Sequence, residues 1–317
     1  MLDKGWHRRA PLQIVVTIAF LGAVVWWASR QGSVTIPTSG AAMADLASAL
    51  GLYAIGTLGR AERWHRILLH SGLRPQRRDS YGLTLVGYMA NNVLPARSGE
   101  LLRSFLLAPR VGTSKRTVLG SILAERILDA AALGSVLVVL AFDLVRGLGA
   151  HYVALLPLIG AAAVGLAVAL YVLHRRGVLE KLAGHVRPLL VSTRSLASLA
   201  GVRLFLLSLG IWIIEGGVYL LVARAVGIDF GIVGALTIVG VANLFTLIPA
   251  APGYVGSFDF AVLFSLKAVA KTAGAHGLSY VVLLRFVLFV PISVVGLIVL
   301  VVRYGGLARL RSARAAA

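Results

Sequence analysis

The 317-residue sequence has no cysteine, which rules out disulfides, thiolate nucleophiles and iron–sulfur ligation. Acids are scarce, 12 against 31 lysines and arginines, and no DxD motif occurs. The seven histidines all fall outside the long hydrophobic stretches, and no HExxH pattern joins any of them, so no metal site and no cofactor is expected. Charged residues make up only 14% of the chain while 58% is hydrophobic, and the mean hydropathy is +0.88. An ordinary soluble domain does not have that composition. The chain reads as a membrane protein.

A spanning helix needs about 20 mainly apolar residues. Six such stretches occur, centred near residues 20, 50, 130, 162, 213 and 291. The first follows Lys4, Arg8 and Arg9 and shows no clear small-residue cleavage site after Trp26 and Trp27, so it reads as a retained helix rather than a secretory signal. The net charge of +19 suggests nucleic acid only until the charges are placed. Twenty-two of the 31 basic residues lie in the N-terminal tail, in 60–78, in 110–116, in 175–203 and in the tail from Arg303, against five in the alternate connections. The positive-inside rule then puts both termini and the basic loops in the cytoplasm, with anionic lipid heads rather than nucleic acid as their partner. The segment 59–78 reads as a helix on the cytoplasmic surface or as a plain basic loop.

Two segments break the spanning pattern. In 80–108, two apolar arms of about ten residues flank Asn91-Asn92-Val93-Leu94-Pro95-Ala96-Arg97-Ser98-Gly99-Glu100. At about 1.5 Å per residue neither arm crosses a hydrocarbon core of about 30 Å, so a re-entrant hairpin is expected. In 231–271 the break is Pro249-Ala250-Ala251-Pro252-Gly253-Tyr254-Val255-Gly256-Ser257-Phe258-Asp259. Each half of the chain then reads helix, helix, broken hairpin, helix, over about 10–145 and 150–305. The two halves start on opposite sides of the membrane. The fold expected is all-α and polytopic, a single transmembrane domain with about six full spans and two re-entrant hairpins in an inverted-topology repeat. Pro95, Gly99, Pro249 and Pro252 mark the breaks, Pro157 and Pro291 read as ordinary helix kinks, and paired interruptions of this kind point to a transport site.

Nine charges fall at membrane depth: Arg97, Glu100, Arg103, Glu125, Arg126, Asp129, Glu215, Asp259 and Arg285. Each costs at least about 2.5–3.5 kcal/mol at the bilayer centre, so they should pair or line a wet cavity. Spacing puts Glu100 and Arg103 on one helix face, as it does Glu125 and Asp129. Arg97 and Arg126 are the expected partners of the two acids, and Glu215 is expected to meet Arg285. Such pairs are commonly structural glue. The gathering of six charges around one backbone break favours a binding site, with Asn91, Asn92, Asn243, Gly253, Gly256 and Asp259 as further candidates. The amides of PAAPGYVG offer an anion site at a helix N-terminus, unless Asp259 caps them itself.

The motifs NNVLPARSGELLRSFLL, LAERILD and IPAAPGYVGSFD together resemble the lysylphosphatidylglycerol synthase transmembrane-region family of flippase-like proteins, over roughly residues 10–305. The resemblance implies translocation of an aminoacylated phospholipid made by an attached synthetase domain. Nothing after Arg303 is expected to form that domain, so a stand-alone member is expected, handling a phospholipid, polyprenyl-linked or other polar-headed lipid in a bacterial cytoplasmic membrane. Asp259 stands where relatives are expected to carry Glu.

The residues lead to a lipid translocase in which Arg97, Arg103 and Arg126 engage phosphate, while Glu100, Glu125 and Asp129 neutralise them or bind a cationic head group or proton. The lipid head would be anionic or zwitterionic. A homo-oligomer and a separate lipid-synthesising enzyme are the protein partners this reading allows. The alternatives are an integral-membrane transferase acting on a lipid carrier, disfavoured by the isolated outside acids Asp143 and Asp229, and an ion-coupled carrier of a small solute.

Overall fold

A computed structural model describes residues 37–94, 98–147, 198–246, 252–270 and 275–305. Every regular element among them is helical: α1 (Gly40–His70), α2 (Arg77–Val93), α3 (Ser98–Leu107), α4 (Lys115–Gly147), α5 (Leu199–Ala225), α6 (Ile232–Phe245), α7 (Ser257–Ala270) and α8 (Ala275–Tyr304). Single 3₁₀ turns follow α3 (Ala108–Arg110) and precede α7 (Pro252–Tyr254). Helices α1, α5 and α8 are long and apolar enough to cross a membrane. α4 is longer still at 33 residues but carries Glu125, Arg126 and Asp129 in its first half. The spans expected near residues 20 and 162, and Pro157, lie outside the described residues. Pro291 lies inside α8, which continues to Tyr304.

Both interrupted segments fold back on themselves. Asn91 and Gly99 meet across the first break, where the Asn91 Oδ1 accepts the Gly99 N–H at 2.9 Å. A β-carbon on Gly99 would lie 2.0 Å from the Gly87 carbonyl oxygen, so α3 runs back against α2 with backbones nearly touching. Small residues allow such an approach in membrane bundles. The first arm is longer than its hydropathy suggests, because α2 begins at Arg77 and has 17 residues; polar Arg77, Arg78 and Asp79 form its first turn. In the second hairpin Phe245 packs against Phe260 in a tilted pair with ring centroids 5.7 Å apart, and Gly234 faces Val269, an antiparallel pairing of α6 with α7.

The segment 59–78 is corrected by the structure over its first part. Residues 71–76 form the connection to α2, but residues 59–70 are neither a surface helix nor a loop: α1 runs unbroken to His70, and Arg60, Arg63, Trp64, Ile67 and Leu68 are buried. Those residues recur at helical spacing, so they form one inward face while Arg66 and Leu69 point out.

Two large apolar clusters and a small one around Ile67, Ala124, Leu128 and Leu204 hold the described helices together. One large cluster joins α5–α8 through residues such as Val222, Ile238, Val262 and Leu284. The other packs α2 and α3 against Trp64, Leu68 and the end of α8. The outward faces carry Val139, Leu206, Phe264, Ile298 and Val302 in exposed positions, a lipid-facing surface far larger than a soluble monomer shows.

Candidate functional site

The two breaks meet where Asn92 of the first approaches Gly253 of the second. Gly253, at φ +65°, lies against the Asn92 carbonyl, with room for a β-carbon only at 3.3 Å. The Asn92 side chain donates to Ser293 Oγ of α8 at 3.0 Å. Beside this contact opens a cavity of about 130 Å³ lined by charged, amide and aromatic side chains, room for several waters.

Both hairpins line this cavity. Asn91, Asn92 and Glu100 come from the first, and Asn243, Thr246, Tyr254 and Phe258 from the second. Arg126 and Asp129 of α4 form one wall. Arg60 of α1, Glu215 of α5 and an aromatic set that includes Tyr53, Tyr88, Trp212 and Tyr219 complete the lining. Arg60 forms a close ion pair with Glu215, and its guanidinium lies 5.6 Å from the Trp212 ring centroid and 6.0 Å from that of Tyr88, within cation–π reach.

Behind the first wall the charges form a continuous network. Arg63 donates to Asp129 at 2.6 Å and to Ser208 at 2.7 Å, and reaches Glu125 at 3.4 Å. Arg103 donates to the other Glu125 oxygen at 2.8 Å and lies 3.8 Å over the Trp64 ring. Arg126 stands 3.6 Å from Glu100, 3.8 Å from Glu125 and 3.6 Å from Asp129. Arg63, Arg103 and Glu125 are buried, whereas the side chains of Arg126 and Glu100 keep 35% and 26% exposure. Three cations thus meet three carboxylates, with Arg60 and Glu215 adding one of each. A low-dielectric interior holds such a set only when every charge is matched.

The pairings differ from those that spacing alone suggests. Glu100 and Arg103 are three apart on α3, yet each pairs with α4 instead: Glu100 with Arg126, Arg103 with Glu125. The expected Glu215–Arg285 pair does not form. Glu215 is held by Arg60, and Arg285 closes on both oxygens of Asp259, at 2.5 and 2.9 Å. Arg285 lies on α8 toward the second hairpin, while Glu215 on α5 faces α1. Tertiary packing, not depth along the helices, decides these partners.

Asp259, Gly253 and Gly256 do not line the cavity. Asp259 accepts the Gly256 N–H at 3.0 Å, and Arg285 donates to the Gly253 carbonyl at 3.1 Å. These contacts fasten the turn before α7, so the acid caps that helix start and its shorter side chain reaches all of these partners. Arg103 and Glu125 likewise sit behind the wall rather than on it. Arg97, Pro95 and Pro249 lie outside the described residues.

Arg60 and Arg63 are the charged residues of the site that the sequence reading missed; it also left out Thr246 and lining aromatics such as Tyr53, Tyr88, Trp212, Tyr219, Tyr254 and Phe258. The signal for the two arginines was there: Gly56, Arg60, Arg63, Trp64, Ile67 and Leu68 continue the helical period of α1, and a basic run with that period is a helix face before it is a loop.

Neither the curated proteins nor the solved structures contain a match to this chain. A family profile does match, that of the lysylphosphatidylglycerol synthase TM region, over residues 14–296. With nearly the whole chain covered, and with the hairpins and buried charges located within that span, the protein belongs to the lysylphosphatidylglycerol synthase transmembrane-region family.

Proposed function

We propose that the protein is a lipid translocase, in which a polar head group crosses through the space between the two hairpins while its acyl chains stay in the bilayer. The observation that carries this reading is the half-open edge of the charge network at the cavity. Arg126 makes only long contacts, 3.6–3.8 Å, with three carboxylates. It is therefore the cation most readily given up to a lipid phosphate, while Glu100 and Asp129 are left to receive a cationic amino group. Exchange of partners inside a neutral network avoids bringing a net charge to membrane depth. The aromatic wall around Arg60 suits the apolar shoulder of such a head group.

Alternating access through an inverted repeat is the accompanying proposal, and a fixed interval in the chain supports it. A shift of 159 residues carries Ser39 to Ser198, which cap α1 and α5 by accepting the Ala42 and Gly201 N–H groups. The same shift carries Ser98 to Ser257, the first residues of α3 and α7. It also carries Glu100 to Asp259 and Arg126 to Arg285, and each acid pairs with the arginine 26 residues ahead. In the first half that pair is loose and borders the cavity. In the second half it is tight and locks a turn. One hairpin would thus hold the head group and the other act as its fixed counterpart or gate. The proposed setting is a bacterial cytoplasmic membrane with both termini inside.

The test is transport of a fluorescent-headed phospholipid in proteoliposomes. Arg126→Gln and Glu100→Gln should each lower the translocation rate at least about ten-fold, the size expected when one charge-assisted contact of about 1.5–3 kcal/mol is lost, and for Glu100→Gln melting stays close to that of the parent. Undiminished transport in both variants would remove the head-group role from this cavity. Product formed from a lipid-linked donor by the purified protein would replace translocation by a transferase reading.

A further inference from the structure

A second concave site lies at the opposite end of α2 from the hairpin tips. It is an open pocket lined by Arg74, Arg78, Arg110 and Arg303, with Asp79 as its sole acid among the described residues and Val302 on its rim. The arginines come from three separate parts of the chain: the lead into α2 and its first turn, the 3₁₀ turn after α3 and the last turn of α8. Four guanidiniums line the pocket with one carboxylate, and two of them, Arg110 and Arg303, approach it, which leaves a strong positive excess.

Two of the four are held in place. Arg303 donates to Asp79 at 3.1 Å. Arg110 stands 3.8 Å from the same oxygen, donates to the Leu106 carbonyl at 3.0 Å and lies over the Tyr304 ring at 4.5 Å. Arg74 and Arg78 are exposed and pair with no acid among the described residues; Arg78 donates only to the side chain of Gln76. Gln76 precedes the first turn of α2 without capping it through its side chain. The pocket therefore combines two fixed cations, two unclaimed ones and a helix start that attracts negative charge. Arginine forks of this kind suit phosphate oxygens.

The apolar side identifies the source of the phosphate. Val302 is 80% exposed, and Val294, Val295, Leu297, Ile298 and Val301 continue the exposed apolar face of α8 away from the pocket. A free phosphate has no use for that face. We infer that this pocket binds the phosphate of an anionic phospholipid whose acyl chains lie along α8, at a site separate from the cavity between the hairpins. Because Arg303 lies on the helix that also carries Asn92's partner Ser293 and the Asp259 partner Arg285, a lipid bound here braces α8 against α2.

The experiment is native mass spectrometry of the full chain released from nanodiscs of equal phosphatidylglycerol and phosphatidylcholine. Arg74→Ala/Arg78→Ala is compared with Lys115→Ala/Arg116→Ala, which removes the same charge outside the pocket. The parent should retain one phosphatidylglycerol more than the Arg74→Ala/Arg78→Ala protein, with that lipid's affinity lowered at least ten-fold by the loss of two arginines near the surface, roughly. The Lys115→Ala/Arg116→Ala protein should retain it. Equal retention in all three proteins overturns the site, and equal loss in both variants reduces it to diffuse surface charge and also overturns it. Displacement of the bound lipid by millimolar inorganic phosphate alone overturns the lipid assignment. Unchanged melting of the variants ensures that a lost lipid reports the pocket. Head-group transport through the central cavity is a separate measurement, so either reading can fail alone.

Discussion

Replacing Glu125 by Ala is expected to lower the melting temperature of the detergent-purified protein by roughly ten degrees or more. Its carboxylate is completely buried and receives Arg103 at 2.8 Å, with Arg63 at 3.4 Å and Arg126 at 3.8 Å. After the substitution Arg63 keeps Asp129 and Arg126 keeps Glu100 and Asp129. Arg103 keeps only the face of Trp64, which leaves a buried guanidinium without a counter-charge. Removing one member of a buried pair costs about 3–5 kcal/mol for that reason, while replacing both by apolar side chains is often neutral. The double variant Glu125→Met/Arg103→Met should therefore recover much of the loss. Melting of Glu125→Ala within about two degrees of the parent, or a double variant no better than the single, would show that the network is not the structural base of the cavity wall. Glu100→Gln should by contrast barely move the melting temperature, because Glu100 is half-buried and Arg126 retains two other carboxylates.

The second large effect is expected at Gly99. A single methyl there would stand 2.0 Å from the Gly87 carbonyl oxygen and 2.6 Å from Asn91 Oδ1. The side chain of Asn91 can turn aside, but a backbone carbonyl inside α2 cannot do so without loss of helix geometry. α3 must then separate from α2, which breaks the Asn91 to Gly99 hydrogen bond and carries Arg103 away from Glu125. Overpacking alone costs about 1–3 kcal/mol, and the charge network adds to it. Gly99→Ala should thus lose both thermal stability and transport. Gly134→Ala is the control, since nothing lies within 4 Å of a β-carbon at that glycine of α4 and alanine favours a helix. If Gly99→Ala melts and transports like Gly134→Ala, the close approach of the two arms is not required for the fold.

How much of this was legible in the sequence varied by element. The two breaks were, because Pro, Gly and Asn clustered inside apolar runs have few alternatives to a turn. The charges at depth were legible as a set, since hydropathy marks any ionisable residue inside an apolar stretch. Their pairing was legible only in part: Arg126 does stand beside Glu125 and Asp129 as expected, but the other pairs differ. Glu100 and Arg103 share a helix face, and i, i+3 spacing states only that they could meet; α4 passes close enough to take both. Arg60 and Arg63 escaped because a run rich in arginine reads as exposed when its local average is weighed above its period. The constant interval that links Glu100 with Arg126 and Asp259 with Arg285 was present in the sequence, but it acquires meaning only once each pair is seen in contact.

The sequence by itself determined the membrane class, the family, the helical character and the location of both interruptions, because each depends on composition or on residues adjacent along the chain. Tertiary structure decided which carboxylate neutralises which arginine, that Asp259 fastens a turn while its counterpart Glu100 borders a cavity, and that the end of α1 is interior. Those outcomes depend on distances between segments far apart in the chain, 155 positions for Arg60 and Glu215, and Coulomb energy in a low-dielectric interior changes steeply over the few ångströms that only packing fixes.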